Sequence, residues 1–307
     1  MVVTPRLIID SVVRSVCDCD VERLVPLAGA GMNETYRAEL VGGVAVVVRI
    51  ARQPGPWFVD EAHLMTQARG VGVPTAEVLG LEQLEHDGQL LSFSIQQFLP
   101  GRSLDELLGE LPTSDLERLV LDAGELLARV HSVIPDRGRG IRHELRSPEE
   151  HDIARVARLV EEALGAVAAE VVKRGADYLR HVVATRPAPL LSLAQGDFLP
   201  KNLIVHAGAL VGVIDWEFAG PASPAFDLGR WEVSAGAPLH DRMDLVYDGY
   251  ARVADPGSAA AGLVPAFAID WALEKLGWSN PATPEQFRRC VDVIARYARD
   301  RPNHSSA

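Results

Sequence analysis

Two short apolar segments, each beside a carboxylate, constrain the fold of this chain more than any other feature of its sequence. The first segment, LAQGDFLPKNLIV, brings Asp197, Lys201 and Asn202 together just before the apolar LIV. The second segment, VGVIDWEFAG, ends an apolar run at Asp215. The HAGAL between the two runs is typical of a hairpin turn, so we expect the runs to pair as strands. Such a hairpin carries Asp197, Asn202 and Asp215 to the same end.

The side chains expected at this end of the hairpin are two carboxylates and one amide. Oxygen donors of this kind suit Mg²⁺, which takes few ligands from protein and the rest from water and phosphate. A carboxylate that does not hold the metal can accept a proton from an attacking hydroxyl. The alternative is that Asp197 and Asn202 only cap turns and Asp215 only ends a strand. The order of all three around one hairpin favours phosphoryl transfer, because D-x-x-x-x-N followed by a strand-ending Asp is the arrangement found in kinases.

Together the two segments resemble the aminoglycoside phosphotransferase family. QGDFLPKNLIV followed by GVIDWEFAGPASPAFDLGRW is similar to the family's usual H-G-D-x-x-x-x-N and I-D-x-x motifs. The family consists of small-molecule kinases, choline and methylthioribose kinases among them, with a protein-kinase-like fold. The resemblance implies an α+β, two-lobed architecture. A small β-rich N-lobe over residues 1–100 would bind the nucleotide, and a larger, mostly helical C-lobe over residues 101–307 would hold the catalytic loop, metal and acceptor.

The resemblance also implies roles for individual residues of the catalytic segment. Asp197 would be the catalytic base, Asn202 and Asp215 the magnesium ligands, and Asp227 the acid that steadies the catalytic loop. Gln195 stands where His is commonest in the family, and its amide can still bridge backbone groups. Lys201 is left with two interpretations, a contact with phosphate or acceptor and a position on the surface.

The first third of the chain predicts the strands and helix of the N-lobe. ETYRAEL and VAVVVRI, separated by Gly42-Gly43, predict a hairpin. Upstream, Gly29 and Gly31 lie in a turn that is either a phosphate-covering loop or a plain hairpin turn. FVDEAHLMTQARG predicts a helix that ends at Gly70.

Three further features of the N-lobe concern the nucleotide. Arg49 occupies the position of the kinase β3 lysine, and Glu61 on the following helix is its expected partner. The resemblance places the adenine ring against the backbone of Gln97 to Leu99. The expected cofactors are therefore ATP or GTP, together with Mg²⁺.

The C-lobe carries three helix-start signals in its sequence. Ser114 with Glu117 has the spacing of a capping box. Ser147, Pro148 and Glu150 predict the start of a long helix of the IARVARLVEEALGAVAAEVVKR type. Thr283, Pro284 and Gln286 repeat this helix-start pattern near the C-terminus.

Composition and charge narrow the class of partner. The net charge of -12 and the pI near 5.2 argue against nucleic acid and anionic membranes as partners. No apolar run reaches the ~18 residues of a membrane span, and MVVTPRLIID lacks the features of a signal peptide. Three cysteines, an odd number, fit a reducing compartment. We expect a cytoplasmic monomer or homodimer that acts on a small molecule.

The acceptor is the least determined part of the prediction. The candidate contacts are Glu217, Glu232, Asp241, Asp244, Asp270, Glu274 and Trp271. An acidic set would bind a polycation, which favours an aminoglycoside-type phosphotransferase with a role in antibiotic resistance. The apolar, tryptophan-bearing VPAFAIDWALEKLGW leaves a macrolide or other metabolite kinase as the alternative.

Two hypotheses of other classes remain at this stage. Gln195 and Arg49 depart from the usual kinase residues, which leaves open a nucleotide-binding module without transfer activity. A structural α/β protein with an incidental acidic loop is the second. Both predict no phosphorylated product from ATP, Mg²⁺ and a panel of acceptors.

Overall fold

A five-stranded antiparallel sheet forms the smaller lobe in the computed structural model, which describes residues 3–27, 33–52, 57–136, 138–186, 190–239, 242–255, 262–278 and 284–299. The strand order is β1-β2-β3-β5-β4. The elements of this lobe are α1 (Arg6–Cys17), β1 (Val21–Pro26), β2 (Glu34–Leu40), β3 (Ala45–Ala51), α2 (Trp57–Gly70), β4 (Val78–His86) and β5 (Gln89–Gln97). The predicted β2–β3 hairpin is confirmed, and both glycines of its turn have positive φ, 98° at Gly42 and 86° at Gly43.

The described residues form two separate apolar cores. The smaller core lies where α1 buries Ile9, Val12 and Val13 against the inward-facing side chains of β3 and β5. This i, i+3, i+4 spacing is that of an amphipathic helix laid on a sheet. In contrast, α2 contributes Leu64 and Met65 to the larger core, together with the helices of the second lobe. The helix that carries Glu61 is therefore packed against both lobes.

The larger lobe is mostly helical. Its helices are α3 (Leu104–Leu107), α4 (Thr113–His131), α5 (Ile153–Leu164), α6 (Ala166–Thr185), α7 (Ala225–Ser234), α8 (Met243–Tyr250), α9 (Val264–Gly277) and α10 (Pro284–Tyr297). Its strands are β6 (Arg102–Ser103), β7 (Ser192–Ala194), β8 (Leu203–His206), β9 (Ala209–Val213) and β10 (Gly220–Ala222). These strands form a β6-β8-β9 sheet and a β7-β10 pair. Within the described ranges, no helix combines the length and the apolar character needed to cross a membrane.

The hairpin predicted around the catalytic segment is confirmed. Strands β8 and β9 pair antiparallel, and their turn places Ala207 at φ 49° and Gly208 at φ 79°. Two successive residues with positive φ match the right-handed twist of the flanking strands. The amide N–H of Val213 also donates to the carbonyl oxygen of Pro74 (2.8 Å), which ties β9 to the segment after α2.

Two helix starts differ from those that the sequence predicts. Helix α4 begins at Thr113 after Pro112, with no side-chain cap, so Ser114 lies inside the first turn and forms no capping box. The box of Ser147 and Glu150 does form, but it closes a short 3₁₀ turn. Thr283 lies outside the described residues, and α10 begins at Pro284.

The long helix predicted after residue 150 is two helices. Asp152 caps α5 through the amide N–H of Arg155 (3.1 Å). Gly165 then adopts φ 92°, which ends α5 and starts α6 in a new direction. Apolar periodicity is similar on both sides of this glycine, so the periodic pattern alone gives no sign of the break.

Helices α4 and α8 approach one another closely because each presents a glycine to the other. A Cβ at Gly124 would lie 2.2 Å from the carbonyl oxygen of Val246, and one at Gly249 would lie 1.9 Å from that of Leu121. Neither neighbour is the flexible end of a side chain, so the helices themselves would have to separate.

We expect Gly124→Ala to lower the free energy of unfolding by about 1–3 kcal/mol, because overpacking outweighs the helix propensity gained from alanine. Urea denaturation measures this. The matched control is Gly70→Ala at the end of α2, where a Cβ meets nothing within 4 Å. The control should keep or slightly raise stability. Equal effects of the two substitutions would contradict the proposed close contact.

Candidate active site

The catalytic loop precedes β8 and buries both of its key side chains. Asp197 and Asn202 are each 5% exposed. The Asn202 amide donates to the carbonyl oxygen of Asp197 (2.8 Å) and to its carboxylate Oδ2 (3.0 Å). A 3₁₀ turn over Pro200–Asn202 brings the two side chains together. The amide nitrogen fixes the Asp197 carboxylate, and the Asn202 carbonyl oxygen remains as a possible metal ligand.

Gln195 connects this loop to the end of β9. Its side-chain nitrogen donates to the carbonyl oxygens of Ile214 (3.0 Å) and Asp215 (2.7 Å). Its side-chain oxygen accepts from the amide N–H of Asp197 (2.7 Å), and the residue is fully buried. The bridging of backbone groups expected of this glutamine is therefore present. The Gln195 side-chain amide thus joins the backbone at Asp197 to the backbone at Asp215, which fixes the positions of these two residues relative to each other.

Asp227 anchors the same loop from α7. Its carboxylate accepts from the amide N–H groups of Gln195 (2.9 Å) and Gly196 (3.0 Å) and contacts Nε2 of His131 (3.2 Å). Gly196 adopts φ 89°, and a Cβ there would lie 2.1 Å from the carbonyl oxygen of Phe218. Glycine is required at this point for both reasons.

Arg49 is surrounded by three carboxylates on the other side of the cleft. Its guanidinium donates to Glu61, to Asp215 Oδ1 (3.3 Å) and to Glu217 Oε2 (3.1 Å). Glu217 also accepts from the side-chain amide of Asn33 (2.8 Å). The predicted pairing of Arg49 with Glu61 is confirmed. Glu217, expected on the acceptor side, lies instead beside Arg49 and the metal-binding candidate Asp215.

The carboxyl groups of this cluster have raised pKa values. Burial raises the pKa of Asp215. The Arg49 guanidinium lowers this pKa in part, and the nearby Asp197 carboxylate raises it further. Burial likewise raises the pKa of Glu61 and of Glu217. Asp215 has φ 60°, a conformation that costs a non-glycine residue of order 1–3 kcal/mol. Buried and partly buried acids beside a strained backbone are typical of a functional site.

The donor set at this point fits Mg²⁺. The Asp215 carboxylate and the Asn202 carbonyl offer hard oxygen donors at the open end of the β8–β9 hairpin, and Glu217 adds a third nearby. In the described part of the chain no group of three or more His, Cys, Asp or Glu is arranged to hold a metal. A site of few protein ligands, completed by phosphate and water, is therefore the kind that these residues support.

Two cations lie against the Asp197 carboxylate. Lys201 Nζ is 2.7 Å from Oδ2, with its side chain 55% exposed, so Lys201 is both at the surface and at the catalytic loop. Arg230 places Nη2 3.9 Å from Oδ1 and donates through Nη1 to the carbonyl oxygen of Gly196. The Arg230 guanidinium stacks on the Trp271 ring, 3.7 Å from its centroid. Arg230 was not predicted from the sequence, although its i+3 spacing from Asp227 places both on one face of α7.

Comparison with protein families identifies the family of this chain. Residues 23–261 match the model of a family described as phosphotransferase enzymes. The chain belongs to this phosphotransferase enzyme family. The family suspected from the catalytic motifs is confirmed. Among curated proteins, no sequence matches this phosphotransferase.

Solved structures share the fold of the phosphotransferase. A spectinomycin phosphotransferase in complex with ADP and spectinomycin matches with a TM-score of 0.69 at 12% identity, over 96% of this chain and 98% of the other. An aminoglycoside phosphotransferase with ADP and hygromycin B matches with a TM-score of 0.64 at 15% identity, over 95% and 98%. A Thermobifida fusca protein assigned as a fructosamine-3-kinase matches with a TM-score of 0.59 at 21% identity, over 94% and 98%. The two-lobed α+β fold predicted from the sequence is confirmed.

Three of the acids predicted to contact the acceptor are paired with other residues of the protein. Glu232 is 2% exposed and is bonded to Arg296 (2.8 Å) and to the Tyr297 hydroxyl. Asp270 accepts from Arg146 (3.0 Å) and contacts His151 Nε2 (2.7 Å). The same Arg146 pairs with Glu274 (2.6 Å), whereas Asp241 lies outside the described residues. Asp244, in the first turn of α8, is exposed, and a contact of any of these acids with the acceptor stays a prediction.

The remaining predicted residues lie at the nucleotide side or outside the described ranges. The amide N–H of Gln97 donates to the carbonyl oxygen of Glu77 (2.8 Å), so this N–H is already used in the sheet edge. Leu99 packs against the large core near β9. Gly29 and Gly31 fall outside the described residues. A role of the Gln97–Leu99 backbone in binding adenine stays a prediction.

We expect Gln195→Leu to cost about 2–4 kcal/mol of unfolding free energy, because it removes hydrogen bonds to three backbone groups that are buried or partly buried. Turnover should fall with it, since the Asp197 and Asp215 segments lose their common bridge. Gln195→His is the matched comparison, because an imidazole retains hydrogen-bonding capacity at this position. Thermal unfolding and turnover are the measurements. If Gln195→His lost as much stability as Gln195→Leu, the shape of the side chain and not its hydrogen bonding would determine the stability contributed by this position.

Proposed function

We propose that this phosphotransferase moves the γ-phosphate of ATP to a hydroxyl group of a small-molecule acceptor in the presence of Mg²⁺. The observation that carries the proposal is the convergence of Asp197, Asn202 and Asp215 around one hairpin, with Arg49 facing them from the smaller lobe. Solved neighbours with ADP support nucleotide binding by this fold. GTP remains the alternative donor, and competition between the two nucleotides separates them.

In the proposed reaction, Asp197 acts on the acceptor. The acceptor oxygen forms a bond to the γ-phosphorus while the bond from that phosphorus to the bridging oxygen of ADP breaks. The hydroxyl proton passes to the Asp197 carboxylate, which is held by the Asn202 amide at 3.0 Å. Lys201 Nζ, at 2.7 Å from the same carboxylate, lies close enough to approach a transferring phosphoryl group.

The nucleotide side of the proposal rests on Arg49, Asn202 and Asp215. Asn202 and Asp215 would hold Mg²⁺, which when bound neutralises charge on the transferring phosphate. Arg49 would contact a phosphate with its planar guanidinium, as lysine does in many kinases. The Glu61 carboxylate orients this guanidinium from α2.

The acceptor is proposed only as a hydroxyl-bearing small molecule. The neighbours crystallised with hygromycin B and spectinomycin support antibiotic-like acceptors, and the fructosamine-3-kinase neighbour supports sugar derivatives. An aminoglycoside-type activity, a macrolide kinase and a metabolite kinase are separated by one experiment. The protein is incubated with ATP, Mg²⁺ and each acceptor, and the phosphorylated product is identified by mass spectrometry.

Asp197→Asn should lower turnover by roughly 10²-fold or more, because it removes the proton acceptor with almost no change of shape. Nucleotide binding and thermal stability should change little. Asp177→Asn, an exposed aspartate on α6, is the control and should retain full turnover. Near-normal turnover in Asp197→Asn would remove Asp197 from the role of base.

Asp215→Asn should remove most of the Mg²⁺-dependent stabilisation by ATP, while asparagine still tolerates the positive φ. In the wild type, nucleotide at 100 times its Kd stabilises by about 2.7 kcal/mol. The measurement is the Tm with ATP in Mg²⁺ and in EDTA. Asn202→Ala should show the same loss more weakly. A full Mg²⁺-dependent shift in the Asp215 variant would exclude Asp215 as a ligand.

A further inference from the structure

Among the described residues, the side chains that form ion pairs with the Asp197 carboxylate are two cations. Lys201 and Arg230 lie 2.7 Å and 3.9 Å from its two oxygens. The chain contains only three lysines, Lys173, Lys201 and Lys275. Lys275 belongs to the same neighbourhood, because its ammonium interacts electrostatically with Asp197, Arg230 and Lys201.

A continuous path of contacts joins Lys275 to the catalytic loop. Lys275 Nζ donates to Ser234 Oγ (3.2 Å), and the indole N–H of Trp271 donates to the same oxygen (2.8 Å). The Trp271 ring stacks on Arg230, which in turn reaches Asp197. Along this path, Trp271 and Arg230 lie between Ser234 and the base.

The O–H group of Ser234 can donate a hydrogen bond to a ligand. A serine oxygen has two lone pairs and one O–H, and here both lone pairs accept, from Lys275 and from Trp271. The O–H must then point away from both donors, toward some other acceptor. Together with the ammonium, this gives two donors side by side at the end of α7.

Lys275 lacks a counterion within the described part of the chain. Its ammonium is half-buried and forms no ion pair with a carboxylate there. Burial lowers the pKa of Lys275, and Arg230 and Lys201 lower it further, against the opposing influence of Cys290 and Asp197. Burial also raises the pKa of the Cys290 thiol to about 11, so this neighbour is neutral at pH 7. The nearby acids are paired elsewhere, Glu232 with Arg296 and Glu274 with Arg146.

A cavity of about 200 Å³ lies beside these donors. Ser234, Lys275 and Arg289 line it, with one exposed acid, Glu285, at the first turn of α10. Pockets for whole drug-sized ligands measure about 300–1,000 Å³, so this cavity suits one functional group of a larger acceptor.

We propose that the acceptor is an anion, whose carboxylate or phosphate group binds Lys275 and Ser234 while its hydroxyl lies against Asp197. The inference rests on the proposed function, since it needs Asp197 to be the site of transfer. A polycationic acceptor would instead meet Lys201, Arg230 and Lys275 in succession. The acceptor oxygen becomes phosphorylated, its proton passes to Asp197, and the anionic group takes no covalent part.

The test compares acceptors that share a scaffold and differ in charge. The glycerol series is glycerate, glycerol 3-phosphate, glycerol and serinol, and the glucose series is gluconate, glucose 6-phosphate, glucose and glucosamine. Hygromycin B serves as the polycation. With ATP and Mg²⁺, the kcat/KM of an anionic member should exceed that of its neutral partner by about tenfold or more, the scale of one charged hydrogen bond. The ratio of carboxylate to phosphate members tells which anion the subsite takes.

Lys275→Met removes the charge and keeps the length of the side chain. It should lower kcat/KM for the anionic acceptor about tenfold or more and leave the neutral acceptor within about twofold. Lys173→Met, at an exposed lysine on α6, is the matched control and should change neither. Ser234→Ala should also lower kcat/KM for the anionic acceptor relative to the neutral one, but to a smaller extent. In the wild type, the KM for the anionic acceptor should rise with ionic strength.

Three results would overturn the anionic acceptor. The first is a preference for neutral or cationic members, and the second is an equal loss on all acceptors in Lys275→Met. The third is the absence of both product and a Lys275-dependent rise in Tm with any anionic member in ADP and Mg²⁺. The proposed function is tested separately, by the Mg²⁺-dependent rise in Tm with ATP and by phosphate transfer to any acceptor. Phosphorylation of hygromycin B would therefore support the kinase activity and contradict the anionic acceptor.

Discussion

The buried carboxylate of Asp227 is the contact on which the geometry of the active site depends. It accepts from the amide groups of Gln195 and Gly196 and contacts His131, which meets the Tyr250 hydroxyl at 3.1 Å. A carboxylate without exposed surface is stable only with its acceptor positions filled. Here the donors come from α4 and from the catalytic loop. The loop is thus fixed to the helical core at the residues immediately before Asp197.

The conformation of the loop follows from this anchor. Gly196 must accept φ 89° and the close approach of the Phe218 carbonyl, so that both amide groups can point at Asp227. The Gly196 carbonyl then faces away from Asp227 and accepts from the buried Arg230. A buried anion on one side of a single glycine and a buried cation on the other hold its peptide groups in one orientation. Asp197 is the next residue, so its position is determined before any ligand binds.

The sequence was most informative where the relevant contacts are local or are carried by a motif. The β8–β9 hairpin and the Gly42-Gly43 turn depend on neighbouring residues, and both were predicted. The Arg49–Glu61 pair spans 12 residues and followed from the kinase pattern of strand and helix. The break at Gly165 was missed because apolar periodicity continues across it. Glycine is compatible with a helix interior as well as with an end, so only packing distinguishes the two.

The character of the acceptor side could not be read from the chain because charge pairing there is long-range. Arg146 reaches Asp270 across 124 residues, and Arg296 reaches Glu232 across 64. A list of acids along the sequence therefore counted anions whose partners lie far away in the chain. The cations near Asp197, in contrast, arise from α7, α9 and the loop before β8, and only the fold shows that they meet.

Net charge and local charge consequently give opposite expectations for the acceptor. The chain carries a net charge of -12, which by itself favours a cationic substrate. That charge is distributed over a surface where ions of the solvent screen it within about 8 Å at physiological ionic strength. A bound acceptor, however, contacts only the groups within a few ångströms of Asp197, and these are screened least because they are partly buried. Long-range attraction affects how often a molecule arrives, whereas the guanidinium of Arg230 and the ammonium groups of Lys201 and Lys275 affect which molecule stays. For a reaction that requires the acceptor hydroxyl to remain at Asp197, the second selection governs the chemistry.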